Sequence, residues 1–195
     1  MRKFIALIPA RSGSKGIKNK NLKKIGNLNL VELAINSAKK SKIFERIILS
    51  SDSEKILKFA NRKKVVKHKR PLKYAKDDSN ISQTIIDVKK KYNLKNNYDS
   101  FCTFTEAMIS PHRIWKFKNN VPKPLISGKK IWLPRQRFQT YYQAVGNVIA
   151  INIEKYKPNK GILFGKIGYI LIDKIQSIDI DKPQDLIIVR KILNK

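Results

Sequence analysis

The residues best suited to chemistry lie in a polar loop near the start of the chain, at positions 11–21. The loop follows a short apolar run, Phe4–Pro9, and combines two glycines and two serines with one arginine and three lysines. Glycines let the backbone turn tightly, and a cradle of backbone N–H groups with nearby cations fits phosphate oxygens. The loop therefore predicts a phosphate-binding site. The alternative is a surface loop that the high lysine content of the chain makes basic.

Two common nucleotide-binding motifs do not fit this loop. Arg11 stands where the dinucleotide-binding pattern G-x-G-x-x-G needs its first glycine, and Gly16 precedes Ile17 where a P-loop needs lysine. The phosphate interpretation is favoured instead by the position of the loop, which lies between a predicted strand and a predicted helix.

A second candidate lies near the other end of the chain, where Asp179 and Asp181 alternate with Ile178 and Ile180. On an extended backbone, side chains two residues apart share a face, so both carboxylates point the same way. Two carboxylates can hold a hard divalent cation through oxygen, and such an ion could neutralise charge on phosphates. The alternative is a solvent-facing pair of acids that caps the last helix.

The charge of the chain does not by itself identify a ligand. Basic residues number 43 and acidic residues 14, which gives a net charge of +29. The chain has 34 lysines, 29 isoleucines and 16 asparagines, and lysines occur in nearly every segment. This favours a bias of the whole coding sequence over a preference for small anionic ligands, and both over nucleic-acid binding, for which we recognise no motif. A functional basic patch must therefore be located by residue spacing.

The apolar pattern gives no sign of a membrane protein. No apolar run reaches the roughly 18 residues that a membrane-spanning helix needs. The first apolar segment ends at Arg11, too short for a secretory signal, so we expect a cytoplasmic protein. A single cysteine, Cys102, excludes an internal disulfide, and with only His68 and His112 as histidines a metal site would depend on carboxylates. For these three side chains a core or surface position is favoured over catalysis.

Apolar runs and helical spacing alternate along the first 70 residues, which predicts an α/β fold with a parallel sheet. Right-handed crossovers then place the loops that follow the strands along one sheet edge, where ligands bind. The absence of a repeat or linker predicts one domain over residues 1–195. The predicted strands are Phe4–Pro9, Arg46–Ser50, Val65–Val66, Ser100–Phe104, Val145–Ile153 and Tyr169–Ile172, and the predicted helices are 29–41, Glu54–Asn61, Ile81–Tyr92 and Asp185–Leu193.

Several segments together resemble one family. Residues 8–16, Ile-Pro-Ala-Arg-Ser-Gly-Ser-Lys-Gly, followed by Lys20-Asn21, look like the N-terminal signature of the CMP–acylneuraminate synthetases, which are similar to the CMP-Kdo synthetases. The first and last matches are specific, and the set spans nearly the whole chain. Residues 47–52 resemble the family's second strand and turn, and 70–71 followed by 77–78 resemble its cytidine-side loop. Residues 134–136, then 146–147, resemble its sugar-side segment, and 177–181 followed by 185–186 resemble its C-terminal acidic motif.

The resemblance implies a Rossmann-like, mainly parallel sheet with helices on both faces, and a nucleotidyltransferase that joins CTP to a nonulosonic, sialic-acid-like sugar. The sugar hydroxyl attacks the α-phosphate and pyrophosphate leaves, a reaction in which positioning and charge neutralisation carry most of the catalysis. It implies catalytic roles for Lys20 and Arg11. The implied nucleotide-binding residues are Arg11, Ser14, Lys15, Lys20, Asn21, Arg70 and Asp77.

The resemblance also implies sugar-binding residues, a metal ion and a partner subunit. Arg135 and Gln136, supported by Arg113, would bind the sugar, because a planar guanidinium suits a substrate carboxylate; ordinary surface charge is the alternative for both arginines. The resemblance implies Mg²⁺ on Asp179 and Asp181, and a homodimer with shared sites.

The family pattern has one gap. The family normally continues, after the helix that ends near Tyr92, with a central strand into Gln-Pro-Thr-Ser-Pro-Leu-Arg and another helix. Here Asn97–Asp99 runs straight into Ser100–Ala107, which resembles the family's next strand. The gap corresponds to one strand–helix unit, roughly 30 residues. We expect the sheet either to close the gap with Ser100–Phe104 or to leave unpaired edges, and the nucleotide half to be better preserved than the sugar half.

Three functions follow from these patterns. The leading one is a cytidylyltransferase for a sialic-acid-like sugar. The second is a catalytically impaired remnant that keeps affinity for CTP or the family's subunit interface. The third, a basic nucleic-acid binder, is supported by charge alone.

Overall fold

The computed structural model describes residues 4–75, 81–82, 84–85, 99–128 and 133–193. The chain divides into two units, one of residues 1–100, 151–166 and 179–195 and one of residues 101–150 and 167–178. The single domain expected over residues 1–195 stays a prediction.

The first unit contains the parallel sheet and the helices that pack on it. Its elements are β1 (Phe4–Pro9), β2 (Lys24–Ile25), β3 (Leu28–Asn29), α1 (Leu30–Ser41), β4 (Phe44–Ser51), α2 (Glu54–Arg62), β5 (Val66–Lys69) and α3 (Pro183–Leu193). Strands β1, β4 and β5 are adjacent in that order and run parallel, with Ile8 opposite Leu49 and Ile48 opposite Val66. The α/β fold predicted from the alternation of apolar runs is confirmed.

The main core of the first unit lies between this sheet and its two connecting helices. Leu49 of β4 packs there with side chains of α1 and α2 and is fully buried, and Ile48, which points to the other face, is fully buried as well. Parallel sheets need cover on both faces, which explains the short continuous apolar runs in β1 and at 47–49 in β4. The buried members of this core are Ala10, Val31, Ile35, Leu49, Ile56 and Ala60.

A second, smaller core lies beneath the polar loop that follows β1. Ile17 of the loop, Ile25 of β2 and Leu186 of α3 are each 6% exposed and pack together, with Ile180 partly buried against them. The guanidinium of Arg190 in α3 donates two hydrogen bonds, of 3.0 and 2.9 Å, to the Lys24 carbonyl. The loop near the start of the chain and the helix at its end are therefore parts of one packed structure.

The second unit is built on a separate sheet. Its strands are β6 (Ser100–Glu106), β7 (Trp115–Lys118), β8 (Val121–Pro124), β9 (Tyr142–Ile151) and β10 (Ile167–Leu171). Strand β6 lies between β10 and β9, and β7 pairs with β8 in an antiparallel hairpin. The two residues at its tip, Asn119 and Asn120, have φ of 51° and 61°.

Most predicted elements agree with the structure to within one to three residues at either end. The predicted helix Ile81–Tyr92 lies largely outside the described residues, although 81, 82, 84 and 85 are helical. Strand β6 runs two residues beyond the predicted Ser100–Phe104 and pairs with β9 and β10. In the part of the chain that the structure covers, the helices are all too short or too polar to cross a bilayer.

A capping box at the N-terminus of α1 can be tested by substitution. The Asn29 side chain accepts a 2.9 Å hydrogen bond from Glu32 N, and the Glu32 carboxylate accepts one of 3.2 Å from Asn29 N. Replacing Asn29 by alanine removes half of this capping box, so we expect Asn29→Ala to lower the free energy of unfolding by about 1 kcal/mol in urea denaturation.

Ser53→Ala is the matched control. Ser53 occupies the same position before α2, but its side chain makes no capping hydrogen bond. We expect it to change the free energy of unfolding by less than about 0.5 kcal/mol. Equal losses for the two variants would contradict the assignment of the capping box.

Candidate active site

A cleft of about 680 Å³ opens in the first unit beside the polar loop. Its described lining carries five cationic side chains and one carboxylate, a balance suited to a polyanion. The polar loop, the segment after β5 and the segment before α3 all contribute to it. The lining residues are Pro9, Arg11, Ser14, Lys15, Gly16, Ile17, Lys20, Asn21, Arg70, Tyr74, Ile81, Thr84, Asp181 and Lys182.

The polar loop is held at both of its ends. The carboxylate of Asp52, just after β4, accepts hydrogen bonds from the backbone N–H of Ser12, at 2.9 Å, and from the Ser12 hydroxyl. At the other end, Asn21 Nδ2 donates to the Arg11 carbonyl at 2.9 Å. Because Asn21 closes the loop back onto its first residue, it shapes the loop as well as lining the cleft.

Gly16 brings the polar loop against the segment that carries the two aspartates. A Cβ built on Gly16 would lie 2.0 Å from the Asp181 carbonyl oxygen, far inside any real contact distance. Only glycine permits this approach, because the obstacle is backbone and cannot rotate away. Gly13, in the same loop, has no atom within 4 Å of such a Cβ.

Lys20 is where the loop meets the carboxylates. Its Nζ lies 2.8 Å from Asp181 Oδ1 and 3.5 Å from Asp179 Oδ1. Both carboxylates therefore reach one ammonium group, as the alternation of residues 178–181 predicts. The Ile180 side chain turns the other way and packs on the core formed by Ile17 and Leu186.

Asp185 shapes the turn that presents Asp181. One oxygen of its carboxylate accepts hydrogen bonds from Lys182 N, at 2.7 Å, and from Asp181 N, at 3.0 Å. These hydrogen bonds, that from Lys182 above all, hold the pKa of Asp185 below its ordinary value. Asp185, in the first turn of α3, thus holds the residues that precede the helix, whereas the carboxylates of Asp179 and Asp181 face the loop.

Arg70 is a buried cation in the wall of the cleft. It is 6% exposed, and its guanidinium donates to the Ser50 hydroxyl and the Ser50 carbonyl, both at 3.3 Å. Burial lowers the pKa of Arg70, while the carboxylate of Asp52 raises it and Arg11 lowers it. Since a guanidinium stays protonated in proteins, this desolvated charge would be stabilised by an anion in the cleft.

The cleft also contains residues that the sequence patterns did not single out. Thr84 is 1% exposed, and its hydroxyl has no hydrogen-bond partner among the described residues. Tyr74 and Lys182 line the cleft as well. The signal that could have found Thr84 is its place on a helical turn, six residues after the segment 70–78 that resembles the family's cytidine-side loop.

The sugar-side residues lie in the second unit. Arg135 and Gln136 belong to the short 3-10 turn Arg135–Arg137, and the Arg113 guanidinium donates to the Leu133 carbonyl at 3.3 Å. Asp77, expected near the cytidine, lies outside the described residues. The functions assigned to all these residues stay predictions.

Asp179 and Asp181 fit the preferences of Mg²⁺. This ion is typically held by one or two carboxylates, with waters and substrate phosphates completing its coordination. The two side chains are 80% and 71% exposed, which leaves room for such further ligands. The described residues contain no group of three or more histidines, cysteines, aspartates or glutamates placed to hold a metal.

Comparisons with known proteins identify the family. The cytidylyltransferase family matches residues 5–121, more than half of the chain. An N-acylneuraminate cytidylyltransferase of Escherichia coli is 35% identical over 137 residues, 70% of this chain and 30% of that protein. A pseudaminic acid cytidylyltransferase of Campylobacter jejuni is 28% identical over 168 residues, 81% of this chain and 71% of that protein.

Solved structures share the fold of this chain. A CMP-2-keto-3-deoxy-manno-octonic acid synthetase complexed with CTP aligns over 100% of this chain and 99% of its own, with a TM-score of 0.59 and 12% identity. The chain belongs to the cytidylyltransferase family, which confirms the resemblance to CMP–acylneuraminate synthetases found in the sequence. Three of the curated relatives are matched over only 26–30% of their own lengths.

The close approach at Gly16 predicts unequal effects of two alanine substitutions in one loop. Gly16→Ala forces the loop and the Asp181 backbone apart, so we expect the free energy of unfolding to fall by about 1–3 kcal/mol, the usual cost of overpacking. Gly13→Ala, which enters open space, should leave the free energy of unfolding within about 0.5 kcal/mol of the unsubstituted chain. Urea denaturation measures both, and the contact is not as described if the two alanines cost the same.

Proposed function

We propose that the chain is a nucleotidyltransferase that joins CTP to a nonulosonic, sialic-acid-like sugar and releases pyrophosphate. The observation that carries the proposal is the meeting of Lys20 with Asp179 and Asp181 beside a cleft lined by cations. Family membership and the cytidylyltransferase activity named for the relatives support it.

The cations of the cleft are proposed to bind the triphosphate. Arg11, Lys15 and Lys20 supply positive charge, Ser14 supplies a hydroxyl, and the loop is fixed beforehand by Asp52 and Asn21. A preorganised site of this kind stabilises charge on the phosphates without having to rearrange during the reaction. Arg70, already stripped of most of its water, would interact strongly with the nucleotide anion.

In the proposed reaction, the anomeric hydroxyl of the sugar attacks the α-phosphate of CTP. A bond forms between that oxygen and the α-phosphorus, and the hydroxyl loses its proton to water. The bond from this phosphorus to the oxygen bridging to the β-phosphate breaks, and pyrophosphate leaves with that electron pair. Lys20 and Arg11 are proposed to neutralise the charge that grows on the phosphate oxygens. Asp179 and Asp181 would hold Mg²⁺, which supplies further neutralisation of the phosphates when bound.

The proposed sugar-binding residues lie in the second unit. Arg135 is proposed to bind the sugar carboxylate, since its planar guanidinium can donate two parallel hydrogen bonds. Gln136 is proposed to contact the sugar, with Arg113 in support. A cytoplasmic location and a homodimer, both expected from the sequence, are part of the same proposal.

A pyrophosphate-release assay tests the proposed function. The full chain is incubated with CTP, Mg²⁺ and, in turn, N-acetylneuraminate, legionaminate, pseudaminate or Kdo. We expect pyrophosphate release that needs both CTP and one of these sugar acids, and much less when ATP replaces CTP. A folded protein that releases none with any of the four would contradict the proposal.

Substitution of Lys20 tests the assignment of the catalytic cation. Lys20→Met removes the ammonium group that lies against the carboxylates, so we expect kcat for pyrophosphate release to fall by about 100- to 1,000-fold, as for other preorganised charge-stabilising groups. The measurement is steady-state kinetics at saturating CTP and sugar acid.

Lys18→Met is the matched control in the same loop. Lys18 is exposed and does not line the cleft, so its loss removes an equal charge from the loop without touching the site. We expect kcat to stay within about twofold of the unsubstituted chain, the small change typical of a solvent-screened surface charge. If both variants lose activity equally, the general charge of the loop would be responsible and the assignment of Lys20 would be wrong.

A further inference from the structure

An aromatic cluster in the second unit joins two segments that are far apart in sequence. The His112 ring stacks on Phe138, with centroids 5.5 Å apart and planes 16° from parallel, and meets Tyr141 edge-on at 5.8 Å. His112 Nε2 lies 2.8 Å from the Tyr141 hydroxyl, a good hydrogen-bond distance. All three side chains are partly buried. The hydrogen bond fixes the orientation of rings that stacking alone would leave free to slide.

The second segment, Leu133–Tyr141, is attached to the first at more than one place. The Arg113 guanidinium donates to the Leu133 carbonyl at 3.3 Å and lies 5.5 Å from the centre of the Phe138 ring. At the far end, Ala107 N donates to the Tyr141 carbonyl at 2.8 Å. The segment is therefore held at its start, its middle and its end by residues 107–113.

The held segment carries the turn Arg135–Arg137, which contains the proposed sugar-binding residues Arg135 and Gln136. A three-residue turn has little stability of its own, so its position is set by its attachments. A substrate contact needs its side chains placed to within a fraction of an ångström, because small misplacements weaken binding strongly.

We infer that His112, through its hydrogen bond to Tyr141 and its stacking on Phe138, is a positioning residue for the sugar-binding turn. The inference rests on the proposed function and adds to it a residue that the sequence placed in the core or on the surface. Arg113 acts with His112, because its guanidinium is engaged with Leu133 and Phe138. The described lining of the cleft in the first unit includes none of the residues of this cluster.

Variants that remove only the hydrogen bond test the inference. His112→Phe keeps a ring that can stack and loses the nitrogen, and Tyr141→Phe loses only the hydroxyl. We expect either variant to raise KM for the sugar acid about three- to tenfold, the usual worth of one hydrogen bond, with KM for CTP unchanged. The double variant should be no worse than either single one, because all three lack the same interaction.

His112→Gln is the rescue variant, because its amide can still reach the Tyr141 hydroxyl, and it should recover part of the lost sugar affinity. Hydrogen exchange of residues 133–141, followed by mass spectrometry, is the second readout, and we expect faster exchange there in His112→Phe and Tyr141→Phe. Unchanged exchange would overturn the inference. So would faster exchange with an unchanged KM for the sugar acid, or an equal rise in both KM values.

The proposed function can fail without obscuring this result. If the unsubstituted chain turns over no sugar acid, the proposed function is wrong and the sugar-positioning role falls with it. Hydrogen exchange still decides in that case whether His112 holds the segment, so the two failures are distinguishable.

Discussion

The contact between Gly16 and the Asp181 carbonyl is the constraint on which the candidate site depends. It joins the loop after the first strand to a segment 165 positions further along the chain, at a distance that admits no side chain. Beneath it, Ile17 and Ile180 pack with Leu186 in one small core. Above it, Lys20 meets the two carboxylates. The apolar contacts below therefore hold together charged groups that would otherwise be free to separate in water.

This arrangement explains how a chain so rich in lysine can still have a specific anion site. Lysines occur in nearly every segment, and most of those in the described part of the chain are exposed to solvent. A solvated ammonium group is screened by salt and binds anions weakly. The cleft differs because its cations converge and because Arg70 is almost fully buried. The positions of the cations in the fold, more than the number of charges in the chain, make the cleft a specific anion site.

Local sequence patterns predicted much of the first unit. Short apolar runs identified β1 and β4, and helical spacing identified α1 and α2, because these elements bury their apolar side chains in one core. The hairpin of β7 and β8 was missed because lysines and prolines interrupt its apolar pattern. Its signal was Asn119-Asn120, since asparagine tolerates the left-handed backbone that a tight hairpin turn requires. Gly26-Asn27, between β2 and β3, is a similar signal.

Part of the candidate site could also be predicted from the sequence. The resemblance named the members of the loop and the two aspartates, and the period-two argument placed both carboxylates on one face. Spacing could not show that Lys20 pairs with them, because residues 161 positions apart are brought together only by the tertiary fold. Nor could it show the role of Gly16, which depends on another segment's backbone, or the network of His112, which depends on ring geometry. Binding of CTP, CDP, CMP and cytidine by calorimetry in the presence of Mg²⁺ is the most direct test of the central claim. The account predicts affinity that falls at each loss of a phosphate, whereas equal affinity for CTP and cytidine would contradict it.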